Sequence, residues 1–226
     1  MVDRDPARIR AMFGSIAPSY DRANRILSLS RDAGWRRLAV RELLPGPGRV
    51  LDLAAGTGDL SVTLRRQGGH RVTAADFTLE MLVEGREKLR GVAPRVAADA
   101  LNLPFHSASF DGYTVAFGVR NFFDVPAALR EAARVLRHGG VAGILELSTP
   151  RGPLRPAYRF YFNAVLPRLG GLITGRPSAY RYLPQSVDDF PEGEAFMSLM
   201  REAGFEQVTA RRLSGGIATY YRGVRA

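Results

Sequence analysis

No cysteine occurs among the 226 residues, so the chain has no disulfide framework and no thiolate metal site. Histidine is nearly as scarce. His70, His106 and His138 are scattered without ligand spacing, and no metal is expected. Apolar runs long enough to span a bilayer are missing. The opening Met1-Val2-Asp3-Arg4-Asp5 is charged where a signal peptide would be apolar, so a cytosolic protein is the expectation. Lys88 is the only lysine, and arginine carries the rest of a formal net charge of +10. Such a balance fits an anionic membrane surface, nucleic acid, or plain use of arginine for solubility. No RNA-binding module or continuous basic run is visible, and nucleic acid is not expected as a partner. With 46% hydrophobic residues, one domain over 1–226 is the default.

The hydrophobic pattern divides the chain into an N-terminal helical segment (1–48), an alternating core and an insertion. Helices are expected over 6–17 and 35–44, the second stopped by Pro45-Gly46-Pro47-Gly48. Between them, 17–28 reads as an ordered loop, polar and aromatic together. From Arg49 strands and helices alternate, which argues for a parallel sheet built of βαβ units. Strands are expected over 49–53, 70–76, 95–98, 110–117 and 141–147. Thr78 is placed to cap a helix running to Arg90, and a further helix starts at 124–126 and ends at His138-Gly139-Gly140. Residues 149–185 break the pattern with prolines, glycines and aromatics interleaved with arginines. They read as a lid, a membrane-facing amphipathic stretch, or a helix packed on the core. A helix over 191–203 and a hairpin turning at Gly215-Gly216 complete the chain.

The most informative stretch is Val50-Leu51-Asp52-Leu53-Ala54-Ala55-Gly56-Thr57-Gly58-Asp59. A short buried-type strand runs into a tight glycine turn, and a helix opens behind it. Two residues without Cβ let the backbone approach a ligand closely, in the crevice where open α/β sheets bind small molecules. Asp76 closes the next strand, about 20 residues on, where a carboxylate meets a ribose. A dinucleotide fingerprint would want a third glycine where Ser61 stands. Asp52 and Asp59 flank the turn, an arrangement that repels a diphosphate and suits a cationic sulfonium. S-adenosylmethionine therefore fits better than NAD. In a parallel sheet Gly56, Asp76, Asp99, Phe117 and Arg120 all lie along one edge, and a terminal antiparallel hairpin is the mark of a methyltransferase sheet.

Taken together, these segments resemble the quinone C-methyltransferases of menaquinone and ubiquinone biosynthesis. The likeness runs through Tyr20-Asp21 with Asn24, Ser28 and Trp35, then Leu53 to Leu60, Asp76 to Leu82 and Gly85 to Leu89. It continues through Leu103-Pro104-Phe105, Phe117-Gly118-Val119-Arg120-Asn121, Arg134-Val135-Leu136 and Glu146-Leu147-Ser148, and ends with Ser178 to Leu183. It implies a class I S-adenosylmethionine-dependent methyltransferase, α/β, with a doubly wound, mostly parallel seven-stranded sheet. It implies cofactor contacts from Asp52, Ala54, Gly56, Thr57, Gly58, Asp76, Phe77, Asp99, Ala100, Ala116 and Phe117. Tyr20, Asp21, Tyr180 and Tyr182 become substrate residues, and Arg120 and Asn121 the catalytic pair. Arg120 or Asn121 would bind the phenolate oxygen or hold a water acting as base. The implied substrate is a polyprenyl quinol, demethylmenaquinol ahead of a benzoquinol, taken at the inner face of the membrane; a homo-oligomer is left open. Two departures stand out. Asp32 occupies a position where many members have histidine, and Ala116 one where some carry serine.

Overall fold

The computed structural model describes residues 3–226. Its strands are β1 (Arg49–Leu53), β2 (Arg71–Asp76), β3 (Arg95–Ala97), β4 (Phe110–Ala116), β5 (Leu136–Leu147), β6 (Phe205–Leu213) and β7 (Ala218–Arg225). They form one sheet in the order β3-β2-β1-β4-β5-β7-β6. Strands β1 to β5 are parallel, and β7 lies antiparallel between β5 and β6. The chain leaves β1 first towards β2 and β3, then crosses to β4 and β5. The carboxyl ends of β1 and β4 are thus a switch point, where a crevice opens.

The helices are α1 (Pro6–Ile16), α2 (Tyr20–Leu27), α3 (Arg31–Leu43), α4 (Asp59–Gly68), α5 (Leu79–Glu84), α6 (Arg86–Leu89), α7 (Val125–Val135), α8 (Arg155–Phe160), α9 (Leu166–Thr174), α10 (Pro177–Asp188) and α11 (Glu194–Glu202). Period-two alternation decides which side each strand residue faces. Leu51 and Leu53 point into a core shared with Val125 and Leu129 of α7 and Phe196 and Met200 of α11. Val50, Val72 and Ala74 face the other way, onto Val40 and Leu43 of α3 and Leu60 and Leu64 of α4. Helices α1 and α2 pack with α9 and α10 over the carboxyl edge of the sheet, around Ile16, Ala23, Phe162, Leu166 and Tyr180. Residues 149–185 are helical but not one element, since Tyr161–Val165 winds as a π turn between α8 and α9.

Four local expectations are corrected. The stretch over 17–28 is not a loop: after a short turn it forms α2, whose Tyr20, Ala23 and Leu27, at helical spacing, join the apolar cluster. The helix after Thr78 breaks at Gly85, and Thr78 makes no side-chain cap, its backbone N–H going to Asp76 instead. Helix α7 ends at Val135, ahead of the glycines, because Leu136 is already extended and paired with Phe110. Helix α11 starts at Glu194, after Gly193 with φ 68°.

Gly85 joins α5 to α6 and packs against the glycine turn at Thr57. A Cβ there would lie 2.6 Å from the carbonyl oxygen of Thr57, a backbone atom that cannot swing aside. Its φ of −72° is ordinary, so the clash alone decides the effect. Gly85→Ala is expected to cost about 1–3 kcal/mol in urea unfolding, and to weaken S-adenosylhomocysteine binding in calorimetry by displacing the turn.

Candidate active site

Two cavities open at the carboxyl edge of the sheet and share Phe13, Tyr20 and Phe117. The first lies in the crevice between β1 and β4 and is bounded by Ala54, Gly56, Asp76, Phe77, Asp99, Ala100, Ala116, Phe117 and Asn121. Arg4, Pro6, Ile9 and Phe13 close it from the N-terminal side. Backbone strain concentrates at its rim. Ala54 has φ 53° and Phe117 φ 62°, left-handed values that a residue with a Cβ adopts only when held there. A Cβ on Gly118 would meet that of Ala54 at 2.6 Å, so the ends of β1 and β4 approach as closely as glycine allows.

Asp76 organises the turn. Its two oxygens accept the backbone N–H of Gly56 and of Thr78, each at 2.7 Å. Burial pushes its pKa up, against the pull of those N–H groups. Further N–H capacity is spent within the loop, where Ala55 N–H donates to Ala75 O and Gly58 N–H to Ala55 O. A diphosphate would therefore meet a carboxylate and few free donors, whereas ribose hydroxyls have oxygen atoms to donate to. On this geometry the residues fit S-adenosylmethionine.

The flanking acids act differently from the sequence expectation. Asp52 faces α4 beneath the loop, since it shares the pleat direction of Val50. It accepts from Ser61 Oγ at 2.5 Å and does not line the cavity. Ser61 occupies the third-glycine position for that hydrogen bond. Asp59 pairs with Lys88 Nζ at 2.6 Å. Burial opposes its ionisation, but the Lys88 ammonium outweighs that and its pKa falls. Thr57 and Gly58 also lie off the cavity. Thr57 Oγ1 donates to Asp21 at 2.5 Å, and Gly58 leaves room for Leu89, which a Cβ would meet at 2.5 Å.

The second cavity measures about 480 Å³ and is mainly apolar. Phe162, Leu166, Tyr158, Tyr180 and Tyr182 wall it on one side, and Met12, Ile16 and Leu27 on the other. Tyr161 Oη donates to Leu27 O at 2.9 Å and fastens the two sides together. Tyr20, Tyr180 and Tyr182 thus lie where a substrate site was expected, but Asp21 does not. Its carboxylate turns to Thr57 and to Lys88 Nζ at 2.5 Å, tying α2 to the glycine turn. The Arg120-Asn121 pair is split between the cavities. Arg120 lines the larger one, and Asn121 lines the cofactor crevice while accepting from Tyr182 Oη at 3.0 Å. Arg120 is 6% exposed and held by Glu146, Nη1 to Oε1 at 2.6 Å.

Sequence reading missed Glu146, Arg36, Lys88 and the α1 residues. Glu146 could have been found as the one acid in the apolar run 141–147, which needs a buried partner. Ile9, Phe13 and Ile16 carried a helical apolar spacing. Lys88 carried no signal of its own.

Burial raises the pKa of Asp52 to about 7, with the Ser61 hydrogen bond and Arg36 opposing. Unfolded, the group ionises near about 4. The neutral carboxyl's contribution is complete below that value and is lost as pH rises through 7, on the order of 4 kcal/mol for this group alone. Asp52→Asn keeps an acceptor for Ser61 without the titration. Its melting temperature is expected to exceed the parent's at pH 8, by a margin that shrinks towards pH 5.

Comparison with known proteins shows the family. The family model described as the ubiE/COQ5 methyltransferase family matches residues 1–225. A demethylmenaquinone methyltransferase from Thermus thermophilus is 49% identical over 220 residues, covering 95% of this chain and 100% of its own. A ubiquinone/menaquinone biosynthesis C-methyltransferase from Geobacter sp. (strain M21) is 46% identical and covers 96% of each chain. Among solved structures, a SAM-dependent methyltransferase from Thermotoga maritima aligns with a TM-score of 0.70 at 22% identity, over 96% of this chain and 99% of its own. With its 3-2-1-4-5-7-6 sheet and its crevice at Gly56 and Asp76, the chain belongs to the ubiE/COQ5 family of S-adenosylmethionine-dependent methyltransferases.

Proposed function

We propose that the chain transfers the methyl group of S-adenosylmethionine to a ring carbon of a polyprenyl quinol, converting demethylmenaquinol to menaquinol. One observation carries this reading: the crevice that holds Asp76 and Asp99 adjoins, at Phe13, Tyr20 and Phe117, a larger cavity rich in aromatic side chains. A bicyclic quinol needs such an apolar chamber beside the methyl donor, and the Thermus thermophilus relative is named for that substrate.

When bound, S-adenosylmethionine supplies an electrophilic methyl group. On the protein side, Asp76 would hold the ribose hydroxyls, Asp99 the adenine amino group, and Ala100 the adenine edge through its backbone. Arg120 would bind the quinol oxygen as negative charge develops on it, its guanidinium already fixed by Glu146 and Phe117 O. Asn121, braced by Tyr182, would set the wall between the two cavities. Phe117 and Tyr20 would exclude water from the carbon being methylated.

Only the reduced ring is nucleophilic. Turnover is expected with demethylmenaquinol under dithionite and none with the oxidised quinone, measured by mass spectrometry of the product. Turnover of a benzoquinol alone would overturn the assignment to demethylmenaquinol.

Among the described residues no helix is long and apolar enough to cross a membrane. Leu29, Phe160 and Leu172 are exposed at 75%, 69% and 83%, all on segments bordering the larger cavity. Leu29 and Ser30 hold left-handed φ values of 52° and 59°, which fix that turn. Arg151, Arg155, Arg159, Arg168, Arg176 and Arg181 follow with no acid before Asp188. Each arginine near an anionic surface contributes roughly 1 kcal/mol. Flotation is expected with phosphatidylglycerol vesicles at low salt and its loss at high salt. Equal flotation with purely zwitterionic vesicles would defeat the electrostatic part, and undiminished flotation of Leu172→Ser/Phe160→Ser the apolar part.

A further inference from the structure

Asp32 is the only carboxylate lining the larger cavity among the described residues. It stands in the first turn of α3, with its side chain 13% exposed. Ser28 Oγ donates to one of its oxygens at 2.7 Å, and the Arg36 guanidinium binds the other. Arg36 lies over the Phe117 ring, 5.4 Å from its centroid. Phe117 is one of the three residues common to both cavities, so the carboxylate belongs to the end where ring and methyl donor meet.

Methylation of a quinol carbon releases one proton, and the other groups nearby cannot take it. Arg120 and Arg36 are guanidiniums, donors without an acceptor. Glu146 does not line the cavity, and its oxygens are spent on Arg120 Nη1, Arg120 N–H and Leu147 N–H. Asp76 faces the nucleoside crevice and holds Gly56 and Thr78.

We infer that Asp32 is the base that accepts the quinol hydroxyl proton during methyl transfer, an inference that rests on the quinol reading. The ring carbon ortho to the hydroxyl forms its bond to the methyl carbon. The methyl–sulfur bond breaks with its electron pair going to sulfur, and the O–H bond breaks with its proton going to Asp32. The product is a neutral dienone. Its ring carbon then gives up its hydrogen as a proton to water, the C–H pair restores aromaticity, and the ketone oxygen takes one proton back from water. One proton in total leaves, from Asp32 to water. A phenol is too weak an acid to ionise fully to a carboxylate beforehand. As the carbon–carbon bond forms, the same O–H becomes that of a protonated ketone, and a carboxylate suffices. Three guanidiniums share the cavity with Asp32, those of Arg31, Arg36 and Arg120, and they hold charge on the oxygen in check.

The test compares the parent with Asp32→Asn, Asp32→Glu and Asp32→His, using demethylmenaquinol and S-adenosylhomocysteine calorimetry. For Asp32→Asn, kcat is expected to fall at least 100-fold, with KM for the quinol and affinity for S-adenosylhomocysteine within threefold of the parent. Asp32→Glu should keep at least a tenth of the rate. Asp32→His should be active with the acid limb of its kcat–pH profile moved up, as imidazole replaces carboxylate. An Asp32→Asn rate within fivefold of the parent overturns the inference. So does an acid limb in Asp32→His that coincides with the parent's, which decides the matter alone should Asp32→Asn not fold. A parent that binds S-adenosylhomocysteine yet turns over no quinol overturns the substrate reading, and the inference with it.

Discussion

One buried ion pair holds the two halves of the site in register. Glu146, with no exposed side chain, ends β5, and its carboxylate takes Arg120 Nη1 at 2.6 Å, Arg120 N–H at 3.1 Å and Leu147 N–H at 2.8 Å. Arg120 Nη1 also donates to Phe117 O at 2.5 Å. The turn after β4 is thereby pinned to the neighbouring strand, which is what keeps Phe117 at a left-handed φ and its ring between the two cavities. Such a pair adds little net stability against a well-packed apolar alternative, because desolvation offsets the attraction. Its removal on one side is another matter, costing about 3–5 kcal/mol by stranding a buried charge. The pair is better understood as a positioning device: it aims a guanidinium that is always charged into an apolar chamber.

A second polar network works at lower energy and longer reach. Lys88 on α6 joins Asp59 at the start of α4 to Asp21 on α2, and Thr57 in the glycine turn donates to the same Asp21. The three charged side chains are about a third exposed, so each ion pair is worth little in stability. What they do is link the cofactor turn to the helix carrying Tyr20. Apolar packing of α2 against α9 continues the link to the opposite wall of the larger cavity. The glycine turn and the wall of the larger cavity are thus joined by a contiguous set of contacts.

The cofactor half was legible because its information is local. A strand, a glycine turn and an acid one strand later lie within about 30 residues, and the parallel sheet brings their ends together whatever the rest of the chain does. Ala54, Gly56, Asp76, Asp99 and Phe117 accordingly fall on one cavity. Asp52, Thr57 and Asp21 lie off the cavities for a common reason: sequence position near a motif does not say which way a side chain points. Pleat direction sends Asp52 under α4, and a single lysine at a distance captures Asp21 and Asp59. Helix α2 was missed because Ser19, Asp21 and Asn24 are residues that favour turns, and only tertiary packing of Tyr20, Ala23 and Leu27 overrides that preference.

The larger cavity was harder to read, and the physical reason bears on what the fold can specify. Its walls come from α1, α2, α3 and the helices between 155 and 183, brought together by burial of apolar faces with no fixed spacing in the chain. Apolar walls tolerate many exchanges of similar volume, so they leave a faint trace in any one sequence. The polar groups within them tolerate far fewer, since each buried donor or acceptor needs its partner. That asymmetry singles out the few charged side chains lining the cavity, Arg31, Asp32, Arg36 and Arg120, the last held from behind by Glu146. The sheet needs none of them to form. They lie where the helical cap meets the sheet edge, which is where one methyltransferase scaffold can be given different acceptors.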